Sequence, residues 1–273
     1  MRFSHMQRHA YQKGLSLVEL MVALAISSFL IIGVTQIYID NKRSYLFQQG
    51  QSANQEGSRY TLLFFQQELL KAGYLTRPDK DRNSEFPAQS RAGCSFGTGQ
   101  TAYWDNETDG GSLCIRYQPQ SPTSRNCLGN LISGPDKPYQ STDNVIVERF
   151  FLQDDTLWCE AMSSSGTSSQ KAELLNGIAD LRFEFGLGDR QVKEFSAQHD
   201  VSTNDNLTAI RYAALLRTTT TRLRDDTNDS PVLARWQTLT NATDAEMQTL
   251  RDEDARNLYQ IAQSTLTLRN LLP

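Results

Sequence analysis

Hydrophobic and polar positions divide this chain into two regimes. From residue 15 to residue 39 nearly every side chain is apolar: Glu19 is the only charge, and Ser16, Ser27, Ser28, Thr35, Gln36 and Tyr38 are the only other polar groups. That run is long enough to cross a hydrocarbon layer of about 30 Å as a helix. Residues 41–55 are polar, with Tyr45, Leu46 and Phe47 as their main hydrophobic content. Tyr60, Leu63, Phe64, Gln67 and Leu70 then recur at steps of three and four, which predicts an amphipathic continuation of the helix to about Lys71, lying against a globular domain. Gly73 and Pro78 mark its end. Gly33, Gly50 and Gly57 each cost a helix about 1 kcal/mol relative to Ala, so they read either as kink points or as tolerated residues.

Beyond the helix the pattern changes to short alternating runs. Residues 76–112 are rich in Pro, Gly, Asn, Ser and Asp with isolated Phe86, Phe96, Tyr103 and Trp104, and read as an exposed surface region tethered by Cys94. Residues 113–117 alternate as a strand. Residues 145–152 and 157–162, joined by Gln153-Asp154-Asp155-Thr156, form a hairpin signal. The serine-rich stretch 163–169 reads as a flexible joint. Further strands are predicted at 178–185, with Leu181, Phe183 and Phe185 on one face, at 209–218 and at 261–268. A charged loop with solvated Asp225 and Asp226 covers 222–229, Trp236 sits in an apolar patch, and 245–258 reads as helix. No internal repeat is evident.

Charge sets the orientation of the apolar segment. Residues 1–14 carry Arg2, Arg8 and Lys13 and no acid, so this leader stays on the cytoplasmic side and the rest of the chain crosses. The 273-residue chain has 27 Lys and Arg against 31 Asp and Glu; without the leader the balance is 24 against 31, a net charge of −7. A mildly acidic exported domain has no electrostatic case for nucleic acid. Glu19 is the anomaly, because a carboxylate in the membrane costs on the order of 2.5 to 3.5 kcal/mol near the centre and needs a partner. Cutting the chain after Gly14 would create one, the new α-amino group of Leu15, and the geometry favours that amine on a neighbouring subunit. An ordinary secretory cut at Ala23-Leu24-Ala25 would leave a core of eight apolar residues containing Glu19, which is poor. The other alternative is an uncleaved signal anchor.

The candidate chemistry is sparse. All four cysteines, Cys94, Cys114, Cys127 and Cys159, lie beyond the apolar run, and an even count in an oxidising compartment predicts two disulfides. Three pairings are open; proximity favours Cys94 with Cys114 and Cys127 with Cys159, each contributing about 3 to 4 kcal/mol. No C-x-x-C spacing points to zinc or a redox pair. Of the three histidines, His5 and His9 lie in the leader and His199 in the polar Gln198-His199-Asp200. That weakens Ser-His-Asp and Cys-His schemes and leaves no multi-histidine metal site. Residues 105–110 place carboxylates at alternate positions without the closing Glu of a calcium loop, and read as a turn. Phosphate-binding glycine loops are missing, and no carboxylate pair is singled out for acid–base work. The expectation is therefore no catalytic residue, no metal and no cofactor.

Gly14-Leu15-Ser16-Leu17-Val18-Glu19, with its basic leader and apolar helix, resembles the type III signal of type IV pilins and pseudopilins, with Leu15 where Phe is usual. Three later stretches, 174–185, 210–218 and 266–270, resemble landmarks of the PilW-type minor pilins. The resemblance implies an α+β, pilin-like fold: a long N-terminal α-helix, transmembrane in its first half, packed on a β-rich periplasmic domain of antiparallel sheet with disulfides. The corresponding divisions are the leader at 1–14, the transmembrane half at 15–39, the amphipathic half at 40–72 and the globular domain at 73–273, with a sub-boundary near 163–170. It further implies cleavage after Gly14 by prepilin peptidase, methylation of Leu15 and docking through Glu19. The partners would be the inner membrane, other minor pilins, the major pilin and a pilus-tip adhesin, and the role would be to start pilus assembly for twitching motility and adhesion. The alternatives are a J-type pseudopilin of type II secretion and a signal-anchored periplasmic enzyme or receptor domain.

Overall fold

The computed structural model describes residues 14, 16–91, 93–105, 111–163, 169–189, 191–197, 207–225 and 229–272. It divides into two units, residues 1–48 and 49–273. Helix α1, Leu17–Leu69, is unbroken through Gly33, Gly50 and Gly57 and supplies the first unit and the opening of the second.

In the second unit two antiparallel sheets share one core with the end of α1. Strands β3 (Ala102–Asp105), β4 (Ser112–Tyr117), β5 (Ile146–Gln153), β6 (Thr156–Ser163) and β7 (Gln170–Asn176) follow one another across a five-stranded sheet. Strands β8 (Ile178–Leu187), β9 (Glu194–Ser196), β10 (Leu207–Arg217) and β11 (Tyr259–Thr267) form a four-stranded sheet in the order β11-β10-β8-β9. A small hairpin, β1 (Gln89–Arg91) with β2 (Cys94–Phe96), precedes them. Ile210, Tyr212, Ala214 and Leu216 of β10 join the core shared with α1, while Ala213 and Leu215 pack on α3 (Pro231–Thr240) and α4 (Asp244–Asp252). Burial on both faces explains why β10 reads as a nearly continuous apolar run rather than an alternation. The predicted patch around Trp236 is helix α3, started by Ser230 and Pro231, and the fully buried indole donates to Asp180 at 3.0 Å.

The face that α1 buries is not its apolar stripe. Gly50, Asn54, Gly57, Ser58, Thr61, Phe65, Glu68 and Leu69 are buried, whereas Tyr60, Leu63 and Leu70 are 40%, 57% and 40% exposed. The reason is closeness of approach. A Cβ on Gly57 would lie 2.8 Å from a Leu216 methyl, and one on Gly50 2.8 Å from a Leu223 methyl, so these glycines admit the domain to the helix backbone. Phe65 is the large anchor, its ring 5.2 to 5.7 Å from those of Phe150, Phe183 and Tyr212.

The 76–112 region also differs from its expected surface character. Phe86, Cys94, Phe96 and Ala102 are buried around Arg116, an inward-pointing cation on β4. Its guanidinium sits 5.2 and 4.8 Å from the Phe86 and Phe96 rings and donates to the carbonyls of Phe86, Pro87, Gly97 and Gln100. A segment with few hydrophobes is thus ordered by its own backbone acceptors and one charge, a pattern that composition does not reveal. Disulfides join Cys94 to Cys114 and Cys127 to Cys159, the pairing that proximity favoured.

Other departures are local. Strand β7 is an exposed sheet edge without alternation, so it escaped prediction. Helix α4 stops at Asp252, held at its start by a capping box between Thr243 and Glu246, while 253–258 is irregular. The β5–β6 turn uses Asp154 and Asp155 with φ of 51° and 55°, the left-handed pair that a tight hairpin needs. The core of the serine-rich joint (164–168), residues 106–110 of the acidic turn, His199 and Asp226 lie outside the described residues.

A second buried charge group ties the end of α1 to the five-stranded sheet. Glu148 on β5 accepts from the Tyr117 hydroxyl (2.7 Å) and the Cys127 amide (2.8 Å), while Lys71 holds Glu68 at 2.5 Å. Burial, reinforced by the nearby Glu68 charge, pushes the Glu148 carboxyl up to about 8. The folded chain therefore keeps a proton that the unfolded chain has released above about 4.5. Stability is predicted to fall as pH rises from about 5 to 8 and then to level off. Glu148→Gln should flatten this slope in denaturant titrations; an unchanged slope would assign the dependence elsewhere.

Candidate functional site: an exposed helix with one carboxylate

From Leu17 on the first unit is helix, and the surface of that helix is the site. At its start the Ser16 amide donates to the Glu19 carboxylate at 3.0 Å, the reach-back half of a capping box. The hydroxyls turn inward on the helix: Ser27 to the Ala23 carbonyl, Ser28 to that of Ala25 and Thr35 to that of Ile31, at 2.7 to 2.9 Å. With their hydrogen bonds made internally, these residues cost little in an apolar medium. None of the most apolar window is buried, and its mean hydropathy of 2.5 over 18 residues suits a membrane-crossing helix by length and composition. Glu19 is the one charged side chain of residues 15–39, and among the described residues no cation pairs with it.

Of the residues expected to act here, Gly14 and Glu19 are described and exposed, and Leu15 lies outside the described residues along with the basic leader. The cysteines belong to the other unit, where they are buried in two structural bridges. In that unit α1 presents outward the stripe of Tyr60, Leu63 and Leu70, with Tyr60 stacked on Phe64 at 5.7 Å. Its periodicity was plain from sequence; its outward direction was not, because Gly, Asn, Ser and Thr on the opposite face carry no hydrophobic signal. Among the described residues no group of His, Cys, Asp and Glu is arranged to hold a metal ion.

The model of the family described as type IV pilus-assembly protein W, PilW, matches residues 141–270, covering β5 to β11. The prokaryotic N-terminal methylation motif matches residues 9–35. The chain carries a PilW-type domain behind a prepilin-like methylation motif. Its motif match takes in Gly14, Leu15 and Glu19, and the stretch holding Cys94, Cys114 and Cys127 lies between the two matched regions. Among solved structures, a type IV-like pilin from Thermus thermophilus is similar at 12% identity and a TM-score of 0.45, over 79% of this chain and 97% of that one. No curated protein matches the sequence. Pilins are a structural family, and the apolar helix here carries the signal by which they are anchored in membranes and associated with pili.

Unequal effects are predicted for two helix positions that lie two residues apart. Phe65→Ala should cost about 3 to 5 kcal/mol through loss of a buried ring. Leu63→Ser should stay within about 0.5 kcal/mol of wild type, as an exposed substitution does. Chemical denaturation of both variants checks the assignment of the helix faces; comparable losses would refute it.

Proposed function

We propose that the chain is a PilW-type minor pilin that helps to initiate type IV pilus assembly. The observation that carries the reading is the exposed, largely apolar helix of residues 17–39 with Glu19 as its only charge. Prepilin peptidase removes residues 1–14 after Gly14, and Leu15 becomes the methylated N-terminus. Residues 15–39 then hold the protein in the inner membrane as a single span, with the amphipathic half at 40–72 and the globular domain at 73–273 in the periplasm. The stretch near 163–170 is a joint within that domain. On assembly the helix leaves lipid for a fibre of like helices, and Glu19 meets the α-amino group of a neighbouring subunit. The subunit works in a tip complex with other minor pilins and an adhesin, ahead of the major pilin, in support of twitching motility and adhesion.

Two measurements test this. N-terminal peptide mass spectrometry of membranes and sheared surface fibres should find N-methylated Leu15 as the first residue in both fractions. A chain beginning at Met1 or Ile26 and absent from fibres would sink the reading. Glu19→Ala should leave processing intact and reduce recovery in the fibre fraction; normal recovery would count against the charge pairing. A deletion strain that loses protein secretion and keeps motility would instead place the subunit in a type II secretion system.

A further inference from the structure

Where α1 ends, a groove of about 500 Å³ opens between the turn at Gly73, Tyr74, Leu75 and Thr76, the short helix α2 (Arg82–Glu85), Pro138 and Tyr139, and the C-terminal Asn270 and Leu272. That volume lies in the range of small-ligand sites, about 300 to 1,000 Å³. Its walls are fixed by bonds of their own. Asn270 donates to the carbonyls of Leu70 and Ala72 at 2.8 and 3.2 Å, and Thr76 donates through both its amide and its hydroxyl to Gln118.

The groove contains a cation without a counterion. Arg82 uses Nη2 to donate to the Asn270 carbonyl at 2.6 Å; its Nε is buried with no acceptor, and Nη1 has no partner among the described residues. Of the acids nearby, Asp79 pairs with Arg77 and Glu85 with Gln118, and the adjacent Asp81 makes no ion pair with Arg82. Burial lowers the Arg82 pKa, and no carboxylate acts to raise it. The contrast with Arg116 is instructive. That guanidinium is buried more deeply, yet four carbonyls and two rings enclose it, so its donors are spent within the fold. Arg82 lines a cavity with Tyr74, Pro78, Pro138 and Leu272, and its Nη1 is not taken up by the described residues. At its edge Tyr139 holds a left-handed backbone, φ 63°, with its side chain 74% exposed, an unfavourable placement for a bulky residue with nothing packed on it.

We propose that this groove docks a carboxylate-bearing peptide segment of a partner protein, with Arg82 reading the acid and Tyr74, Pro78, Pro138 and Tyr139 taking the apolar residues beside it. A guanidinium with no counterion and an unengaged Nη1 matches a carboxylate in charge and offers it a charge-assisted hydrogen bond. Aromatic and proline walls suit an extended segment that presents small apolar side chains on either side of its acid. The inference is independent of the assembly role proposed above, since it rests on residues far along the chain from the processing motif.

The test is fluorescence anisotropy of a labelled acetyl-Pro-Leu-Asp-Pro-amide peptide against the detergent-solubilised full chain, with the Asn analogue and inorganic phosphate as comparisons. The expected result is saturable binding, weakened about 10- to 100-fold by the Asn replacement and by Arg82→Gln, the worth of one charge-assisted contact. Hydrogen exchange should then slow in the peptides covering 70–82 and 136–141. Should Arg82→Gln fail to fold, Tyr139→Ser carries the test, because its side chain is exposed and its loss should still weaken binding. Equal affinity for the Asn peptide, affinity unchanged in whichever variants fold, or protection elsewhere would overturn the proposal. Phosphate competing as well as the acidic peptide would reduce the site to a general anion pocket and overturn the peptide assignment.

Discussion

The globular unit depends on the approach of one helix to two sheets at once. Phe65 is fully buried and its ring reaches Phe150 of one sheet and both Phe183 and Tyr212 of the other, so a single side chain connects three layers. This contact is available because the rest of the helix face is small. Gly50 and Gly57 leave no room for a Cβ, and Asn54 and Thr61 meet backbone carbonyls rather than filling space. A broad apolar face would have held the helix farther off and left Phe65 short of one sheet. The price is that the helix face opposite keeps its larger hydrophobes in the open.

Two ionisable side chains buried in the same unit, Arg116 and Glu148, draw their partners from groups that the fold already provides. Arg116 is surrounded by backbone carbonyls and two aromatic rings, which turns a loop-like composition into fixed structure. Glu148 sits between a tyrosine hydroxyl and the amide of a disulfide-bonded cysteine, so the Cys127–Cys159 bridge and the carboxyl position each other. Both groups belong to strands that also supply core residues, Leu113 and Ile115 on β4 and Ile146 and Phe150 on β5. Losing either would leave several polar atoms without partners, which is costlier than losing a methyl group.

How much of this could be read from the sequence depends on which residues carry the information. The apolar run to Ile39 with its lone Glu19, the β5–β6 hairpin and strands β8, β10 and β11 were legible, because each has a periodicity or a length that physics ties to one structure. The small buried hairpin at 89–96 and the core position of Phe86 were not, because their order comes from Arg116, about 20 to 30 residues away, and a lone Arg in a strand gives no local sign of turning inward. The helix stripe shows a subtler limit. Periodicity identified the helix correctly, yet a hydrophobic stripe marks a surface that needs covering and does not say by what. Here the domain takes the face of Gly57 and Phe65, while Tyr60, Leu63 and Leu70 are left out.

The same reasoning separates the anchor from an ordinary core helix. A core helix hides its apolar side chains within its own chain; residues 17–39 have no such cover. Burying a side chain the size of Leu or Phe is worth about 1.5 to 3 kcal/mol, so a run of this length favours any apolar surrounding over water by far more than one carboxylate costs. The segment is therefore stable in lipid and equally suited to a bundle of like helices, since both offer it the same medium. Glu19 makes the difference between the two. One of its oxygens takes the Ser16 amide, which satisfies a hydrogen bond without neutralising the charge. Lipid supplies no cation at that depth; in the proposed assembly a neighbouring chain with a free amine would supply one, and the carboxylate would then favour the bundle.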